Sequence, residues 1–196
     1  MHEEWGYLSI CCGCMFSGKT SWLMQQHKKY EFINKNVVVV NYDQDKRYHN
    51  SLLSTHDKQM IPCIQAHTLK DVYNDLLNAN VILINEGQFF EDLYEIVLDL
   101  VENKHKIICI AALDGDFQRN MFGDILKLIP RCDDYMKLHA LCGFCKNGNK
   151  ASFSYRLSSE SQQVSIGANN YIPLCRKCYE EKNKVLTTTV VQENYS

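Results

Sequence analysis

Apolar and polar residues alternate along the first two thirds of the chain in blocks that predict strands and helices in turn. Four short apolar runs have the pattern of strands buried on both faces of a sheet. These runs are Tyr7–Cys12, Val37–Asn41, Val81–Ile84 and Lys106–Ala112. Helical spacing is found between them, at Ser21–Ile33, Leu69–Leu77 and Leu93–Val101. Strand and helix repeated in this order predict an α/β fold, a parallel sheet with helices on both faces.

The rest of the chain lacks this regular alternation of strand and helix patterns. The polar segment Asp43–Gln59 is expected to be a loop. Near Tyr135 the alternation gives way to short strand-like pieces, paired cysteines and turn residues. We therefore expect three parts: an α/β domain over residues 1–136, a small cysteine-bearing module over 137–184 and a flexible tail over 185–196.

Composition narrows the functional classes. The 196 residues are 45% hydrophobic and 22% charged, which is ordinary for a globular protein. No apolar run reaches the ~18 residues that span a bilayer, and the acidic start has no signal-peptide pattern, so we expect no membrane partner. A net charge of −2 argues against a protein that wraps nucleic acid. Ten cysteines without a secretory signal favour a reducing compartment and metal binding over disulfides.

One segment after the first strand matches the phosphate-loop pattern G-x-x-x-x-G-K-[ST]. Its backbone N–H groups are expected to surround phosphate oxygens, with the positive end of the next helix behind them. In this pattern Lys19 reaches the β- and γ-phosphates and Thr20 binds Mg²⁺. The alternative, a glycine turn beside a surface lysine, is disfavoured by the strand before and the helix after. The residues are Gly13, Cys14, Met15, Phe16, Ser17, Gly18, Lys19 and Thr20.

The strand Val81–Ile84 ends in a polar pair, Asn85 and Glu86. We expect this strand to lie beside the first one, with its carboxyl end facing the γ-phosphate. An acidic residue there usually holds the water shell of the metal, but only Glu86 is charged. We therefore expect Glu86 to act as the base, and Asn85 to make a weaker contact with metal-bound water. The alternative is that Glu86 is a solvated residue at the start of a loop.

Other candidates near this edge are less specific. Arg47 could neutralise charge on a transferring phosphoryl group, although a solvated charged loop is equally compatible. The glycine-bearing stretch Val164–Gly167 with Tyr171 could hydrogen-bond a flat ligand through its backbone, or it is an ordinary surface loop. Aromatic residues after two strands could sandwich a planar acceptor, although such residues are more often part of a core. They are Phe89, Phe90, Phe117 and Phe122.

Two Cys-x-x-Cys pairs, Cys142 with Cys145 and Cys175 with Cys178, predict a tetrahedral zinc site. Four protein ligands leave no open position, so this zinc is expected to be structural. It would hold together the two ends of the segment Lys146–Leu174 and leave that segment free to act as a lid.

Taken together, residues 7–180 resemble the type II thymidine kinases, a tetrameric, zinc-containing family. The resemblance depends on several strings in the expected order, in addition to the two cysteine pairs. The lack of long terminal extensions resembles the compact forms carried by viruses or bacteria, and we favour a large DNA virus. The strings are Gly13–Thr20, Asp45–Tyr48, Ser54–Asp57, Asn85–Phe90 and Ala111–Arg119.

The resemblance implies transfer of the γ-phosphoryl group of ATP to the 5′-hydroxyl of thymidine, with Mg²⁺. Glu86 is then the general base, and Arg47 flanks the reacting oxygen. Asp45 and Gln88 contact the nucleotide and metal, as does Asn85, where the family pattern has aspartate. The resemblance also implies a homotetramer, feedback inhibition by dTTP and a cytoplasmic location, in the host if the source is viral. Alternatives are another deoxynucleoside or nucleotide kinase, or a zinc-ribbon nucleic-acid-binding ATPase.

The resemblance also implies a thymidine pocket. In it the thymine base is held through main-chain groups of a lasso loop, Gln162–Ile166, and Ser154 lies near the thymine methyl group. Since the family more often has threonine at that position, the smaller serine leaves room for larger 5-substituted uracils. The implied contacts are Met15, Leu113, Phe117, Phe122, Ser154, Gln162, Gln163, Val164, Ser165, Ile166 and Tyr171.

Overall fold

The computed structural model describes residues 5–43, 52–54, 60–158, 162–163 and 170–193. In these ranges the helices are α1 (Lys19–Phe32), α2 (Tyr73–Asn78), α3 (Leu93–Leu98) and α4 (Arg176–Glu193). The strands are β1 (Tyr7–Gly13), β2 (Val37–Tyr42), β3 (Leu52–Ser54), β4 (Met60–Pro62), β5 (Ile64–Ala66), β6 (Val81–Asn85), β7 (Ile107–Ala112), β8 (Asp134–Leu138), β9 (Ala140–Leu141), β10 (Lys150–Ala151), β11 (Phe153–Arg156) and β12 (Tyr171–Leu174). Short 3₁₀ turns cover Lys70–Val72, Gly87–Phe89 and Ile125–Arg131, and a π-helical turn covers Asp99–Asn103.

The central sheet has six strands in the order β5-β2-β6-β7-β1-β8, and every neighbouring pair is parallel. This confirms the predicted α/β class. The expectation that the strand ending at Asn85 lies beside β1 is wrong, because β7 lies between β6 and β1. An apolar run indicates that a strand is buried but carries no information about its neighbour, so strand order could not be predicted from the pattern.

The helices cover both faces of the sheet. On one face, Leu23 and Met24 of α1 pack against alternate strand residues such as Leu83 and Cys109. On the other face, the residues of α2 and α3 pack against the intervening positions, including Ile82 and Ile84. Because successive strand residues point to opposite faces, a fully buried strand such as β6 supplies both cores. Among the described residues, no helix has the length and apolar character needed to cross a membrane.

Several local elements differ from the pattern-based expectation. Part of the expected loop Asp43–Gln59 is a strand, because β3 pairs with β4 in an antiparallel hairpin. The strand β5 was not predicted, since its three residues are too few to show a period. The edge strand β8 was also missed, because most of its side chains are exposed and no buried pattern marks it.

The cysteine-rich part follows the last strand of the sheet. β8 continues to Leu138, two residues past the boundary expected at residue 136. The module contains two small antiparallel pairs, β9 with β10 and β11 with β12, followed by α4. The backbone of α4 is helical as far as Glu193, which includes most of the expected tail over 185–196.

Candidate active site

The phosphate-loop residues lie where β1 ends and α1 begins, as expected from the pattern. Gly18 precedes α1 with φ 91°, a conformation that side-chain-bearing residues rarely adopt. A Cβ atom at Gly13 would lie 2.5 Å from the carbonyl oxygen of Leu138 in β8. Both glycines are therefore required, one by the backbone turn and the other by the close approach of a neighbouring strand.

Lys19 is 9% exposed, and its Nζ donates a hydrogen bond to the carbonyl oxygen of Cys14 at 2.9 Å. A lysine ammonium has three donors, so this bond is compatible with simultaneous contacts to phosphate oxygens. The Cys14 thiol lies under the loop and donates to the carbonyl oxygen of Ala151 at 3.3 Å. Cys14 is 2% exposed and belongs to a hydrophobic cluster, as expected for a packing residue, and burial raises the pKa of its thiol.

Glu86 follows β6 directly and is 8% exposed. Its backbone is in the left-handed region, with φ 54° and ψ 42°, which is a strained conformation for a residue with a side chain. The side-chain amide of Gln88 donates to Glu86 Oε2 at 2.7 Å, and its carbonyl accepts from the Leu113 N–H at 2.9 Å. Gln88 therefore links the candidate base to the strand end of β7.

Asn85 lies at the carboxyl end of β6 and is only 2% exposed. Its side-chain amide donates to Asn41 Oδ1 at 2.8 Å, and Asn41 Nδ2 donates to Gln65 Oε1 at 3.2 Å. These three amides form a relay across β6, β2 and β5. The relay orients a neutral side chain at the position where a metal-binding carboxylate is expected.

A pocket with about 340 Å³ of empty space, including its open mouth, lies near the carboxyl ends of β6 and β7. Phe89 and Phe122 form its aromatic wall, with ring centroids 5.2 Å apart in an edge-to-face arrangement. Phe90, by contrast, is 1% exposed and belongs to the core. The lining consists of Phe89, Leu113, Gly115, Asp116, Phe117, Phe122, Ser154, Gln163 and Tyr171.

The pocket and the phosphate loop are physically connected. Ser154 on β11 is buried and lines the pocket, and its Oγ accepts a hydrogen bond from the Met15 N–H at 2.9 Å. A ligand in the pocket therefore lies close to the loop that would hold a nucleotide. This arrangement suits a reaction between two bound molecules.

The sequence pattern did not reveal the roles of two residues that shape the pocket. Asp116 is 7% exposed, and its carboxylate accepts from the backbone N–H groups of Gln118 and Asn120 and from Gln163 Nε2 at 2.9 Å. Tyr179, next to Cys178, donates its hydroxyl to the carbonyl oxygen of Phe117 at 2.6 Å. A tyrosine following a metal-site motif was the available signal for the second residue.

The four predicted zinc ligands come together, and their Sγ atoms all lie within 4.8 Å of one another. A tetrahedral zinc with bonds of about 2.3 Å places sulfur atoms about 3.8 Å apart, so the cluster fits zinc. Burial tends to raise the pKa of Cys142, but nearby backbone N–H groups prevail and lower it to about 6. Burial, together with hydrogen bonding of the protonated Cys178 thiol to the sulfur atoms of the other three cysteines, raises the pKa of Cys178 to about 12. A cation would offset the cost of ionising all four thiols.

Some candidates lie outside the described residues. They are Asp45, Arg47, Val164, Ser165 and Ile166. The first two belong to the segment after β2, and the other three to the expected lasso loop. The flanking residues Gln162, Gln163 and Tyr171 are described, and two of them, Gln163 and Tyr171, line the pocket.

Comparisons with known proteins agree with the geometry. Residues 6–179 match the family model for thymidine kinase. The chain is 42% identical to a thymidine kinase of Yaba monkey tumor virus, over 93% of this chain and 99% of that protein. It is 41% identical to a thymidine kinase of vaccinia virus, strain Ankara, over 89% and 97%. It is also 39% identical to a cytosolic thymidine kinase of Gallus gallus, over 90% and 78%. These matches confirm the resemblance drawn from the motifs.

Proposed function

The chain belongs to the thymidine kinase family, and from this premise we propose that it transfers the γ-phosphoryl group of ATP to the 5′-hydroxyl of thymidine. The observation that carries the proposal is the hydrogen bond between Ser154 of the pocket and Met15 of the phosphate loop. It brings the nucleoside pocket against the loop that would hold ATP. Glu86 lies near the same edge, at the end of β6.

On the nucleotide side, the backbone N–H groups of residues 13–20 would surround the phosphates at the start of α1. Lys19 would place its ammonium against the β- and γ-phosphates, and Thr20 would bind Mg²⁺. The magnesium ion would neutralise charge on the phosphates. Asn85 would contact metal-bound water through its amide oxygen, and Asp45 would approach the same ion.

On the acceptor side, Phe117 and Phe122 would enclose the thymine base, with Leu113 and Ser154 beside it. Main-chain groups of residues 162–166 would bind its polar edge, and Tyr171 would contact the deoxyribose. Glu86 would take the proton of the 5′-hydroxyl as that oxygen bonds to the γ-phosphorus. The bond from the γ-phosphorus to the bridging oxygen breaks, and ADP leaves with that electron pair. Arg47 would stabilise charge on the transferring group.

Gln88 has a more specific role than the nucleotide contact that the resemblance implies. Its amide donates to Glu86 Oε2 at 2.7 Å. This bond fixes the orientation of the Glu86 carboxylate. We therefore propose that Gln88 serves the base directly and the nucleotide only through it.

A phosphoryl-transfer assay with Mg-ATP tests the proposed function. We expect thymidine to be phosphorylated with a kcat/KM at least about tenfold above those of deoxycytidine and deoxyguanosine, because the pocket must pair with the polar edge of thymine. Thymidine monophosphate should not be an acceptor. Deoxyuridine, which lacks only the 5-methyl group of thymidine, tests whether the pocket recognises that methyl group. Preference for another nucleoside or for a monophosphate would support the alternative kinases.

Replacing Asn85 by aspartate is expected to lower the Mg²⁺ concentration that gives half-maximal activity by about three- to tenfold, the scale of one added charge near the ion. Turnover should persist. The new carboxylate would face Asn41 Oδ1, which now accepts from Asn85 at 2.8 Å, so the amides of Asn41 and Gln65 must reverse. The measurement is a Mg²⁺ titration of activity at fixed ATP.

Asn80→Asp is the matched control for this titration. It adds the same charge just before β6, at the opposite end of the strand, where the side chain now accepts from the Asn36 N–H. It should leave the titration unchanged. Identical Mg²⁺ curves for wild type and Asn85→Asp would contradict a metal-facing role for this position.

The finer properties of the family are also proposed for this chain. We propose a homotetramer inhibited by dTTP, acting in the cytoplasm, which would be the host cytoplasm if the source is viral. Large exposed apolar residues such as Phe32 and Ile33 at the end of α1 support self-association. Light scattering on the purified protein gives the assembly mass, and a monomer would contradict the tetramer.

A further inference from the structure

Arg156 is a buried arginine beside the nucleoside pocket, and it is 5% exposed. It follows Ser154 by two positions on β11, so both side chains project from the same face of the strand. Ser154 lines the pocket, whereas Arg156 lies behind the lining residues. Burying a guanidinium is costly unless its donors are used, so its contacts indicate what the residue does.

Three pocket residues are held by this one side chain. The Arg156 Cζ lies 3.8 Å from the centroid of the Phe117 ring, in cation–π contact. Its Nε donates to the Tyr171 hydroxyl at 3.0 Å, and one terminal nitrogen donates to the carbonyl oxygen of Gln163 at 2.9 Å. The other terminal nitrogen donates to the carbonyl oxygen of Gln162.

These contacts join parts of the chain that are distant in sequence. Arg156 and Tyr171 are directly opposed on β11 and β12, while Phe117 lies in the loop after β7. Gln163 is also held from the other side, where its side-chain amide donates to the Asp116 carboxylate at 2.9 Å. A planar fork with five donors can make these bonds together, whereas a lysine ammonium lacks that geometry.

We propose that Arg156 is a positioning residue that pre-organises the nucleoside pocket by fixing Phe117, Gln162, Gln163 and Tyr171 in their binding arrangement. The inference deepens the proposed function and rests on it. A pocket ordered before binding loses less conformational freedom when the nucleoside enters. Arg156 therefore acts on nucleoside affinity, while ATP affinity and the chemical step depend on other residues.

The test is Arg156→Met, which keeps an apolar stem of similar length and removes the donors. We expect the Kd for thymidine, measured by calorimetry, to rise at least about tenfold, as for loss of several hydrogen bonds to a charged group. The KM for ATP should stay within about twofold of wild type and kcat at saturating thymidine within about threefold, because neither step uses Arg156. The thymidine Kd of Arg156→Lys should lie between those of the wild type and Arg156→Met.

Two further variants sharpen the interpretation. Arg176→Met removes an exposed guanidinium that lies 5.0 Å from the Phe153 ring centroid, and it should leave thymidine affinity unchanged. Tyr171→Phe removes one hydroxyl that Arg156 contacts. The double variant should lose less thymidine binding free energy than the sum of the losses in the two single variants, as for residues in one network.

Crystal structures of wild type and Arg156→Met test positioning without any assay, and Arg156→Lys replaces Arg156→Met if that variant does not fold. The expected result is displacement of the Phe117 ring and of the Gln162–Gln163 backbone. Unchanged positions, an unchanged thymidine Kd, or equal losses of ATP and thymidine affinity would overturn the inference. Failure of the proposed function is recognised separately, because the wild-type protein would then not phosphorylate thymidine.

Discussion

Glu86→Gln is expected to lower kcat at least about 100-fold while leaving ATP affinity within about twofold, the usual scale of general-base catalysis. Glutamine keeps the size of the side chain and can still accept the hydrogen bond that Gln88 now donates to Glu86 Oε2 at 2.7 Å. The left-handed turn at residue 86 and the short helix after it should therefore persist. The variant removes the proton acceptor and little else.

The measurement is single-turnover phosphoryl transfer from ATP to thymidine, with ATP affinity determined separately by calorimetry. Glu91→Gln is the matched control, since Glu91 is an exposed carboxylate five residues further along the chain. It should behave as wild type. If Glu86→Gln kept a kcat within a few-fold of wild type, another group would have to accept the proton.

Loss of the zinc site is expected to have the second large effect. Cys175→Ser should release the metal and reduce thymidine phosphorylation at least about 100-fold, because structural zinc contributes folding free energy on the order of 10 kcal/mol in small domains. The hydrophobic cluster around the four zinc-site cysteines also contains Cys14 of the phosphate loop. Tyr179 connects the metal site to the pocket, since its hydroxyl donates a hydrogen bond to the Phe117 carbonyl oxygen at 2.6 Å.

Metal content by mass spectrometry and thymidine kinetics, measured on the same preparations, check this prediction. Cys132→Ser is a suitable control, because that thiol lies outside the four-cysteine cluster and donates to the carbonyl oxygen of Ile129 at 3.0 Å. A serine hydroxyl can make the same bond. A Cys175→Ser protein that had lost its zinc but kept its thymidine KM would show that the module does not support the pocket.

The features that could be predicted are those carried by local patterns. β1, β2, β6 and β7 were found because a strand buried on both faces reads as an apolar run. The metal site was found because each cysteine pair is close in sequence, and the spacing of its members is itself the signal.

Features that depend on tertiary pairing could not be predicted. The role of Arg156 depends on its register with Tyr171 in β12, and that register places its guanidinium near Phe117. The Asn41–Asn85 bond depends on β2 and β6 being neighbours, which no single strand reveals. Gln88 was expected to contact the nucleotide, and its hydrogen bonds with Glu86 and with the Leu113 N–H could not be read from the sequence.

The central claim is that one site holds both ATP and thymidine and transfers the phosphoryl group directly between them. Product stoichiometry on zinc-loaded wild-type protein tests it most directly. With Mg-ATP and thymidine, we expect ADP and thymidine monophosphate to form in equal amounts, with almost no ADP when thymidine is omitted. ADP formed at the same rate with or without thymidine would indicate an ATPase and would contradict the account.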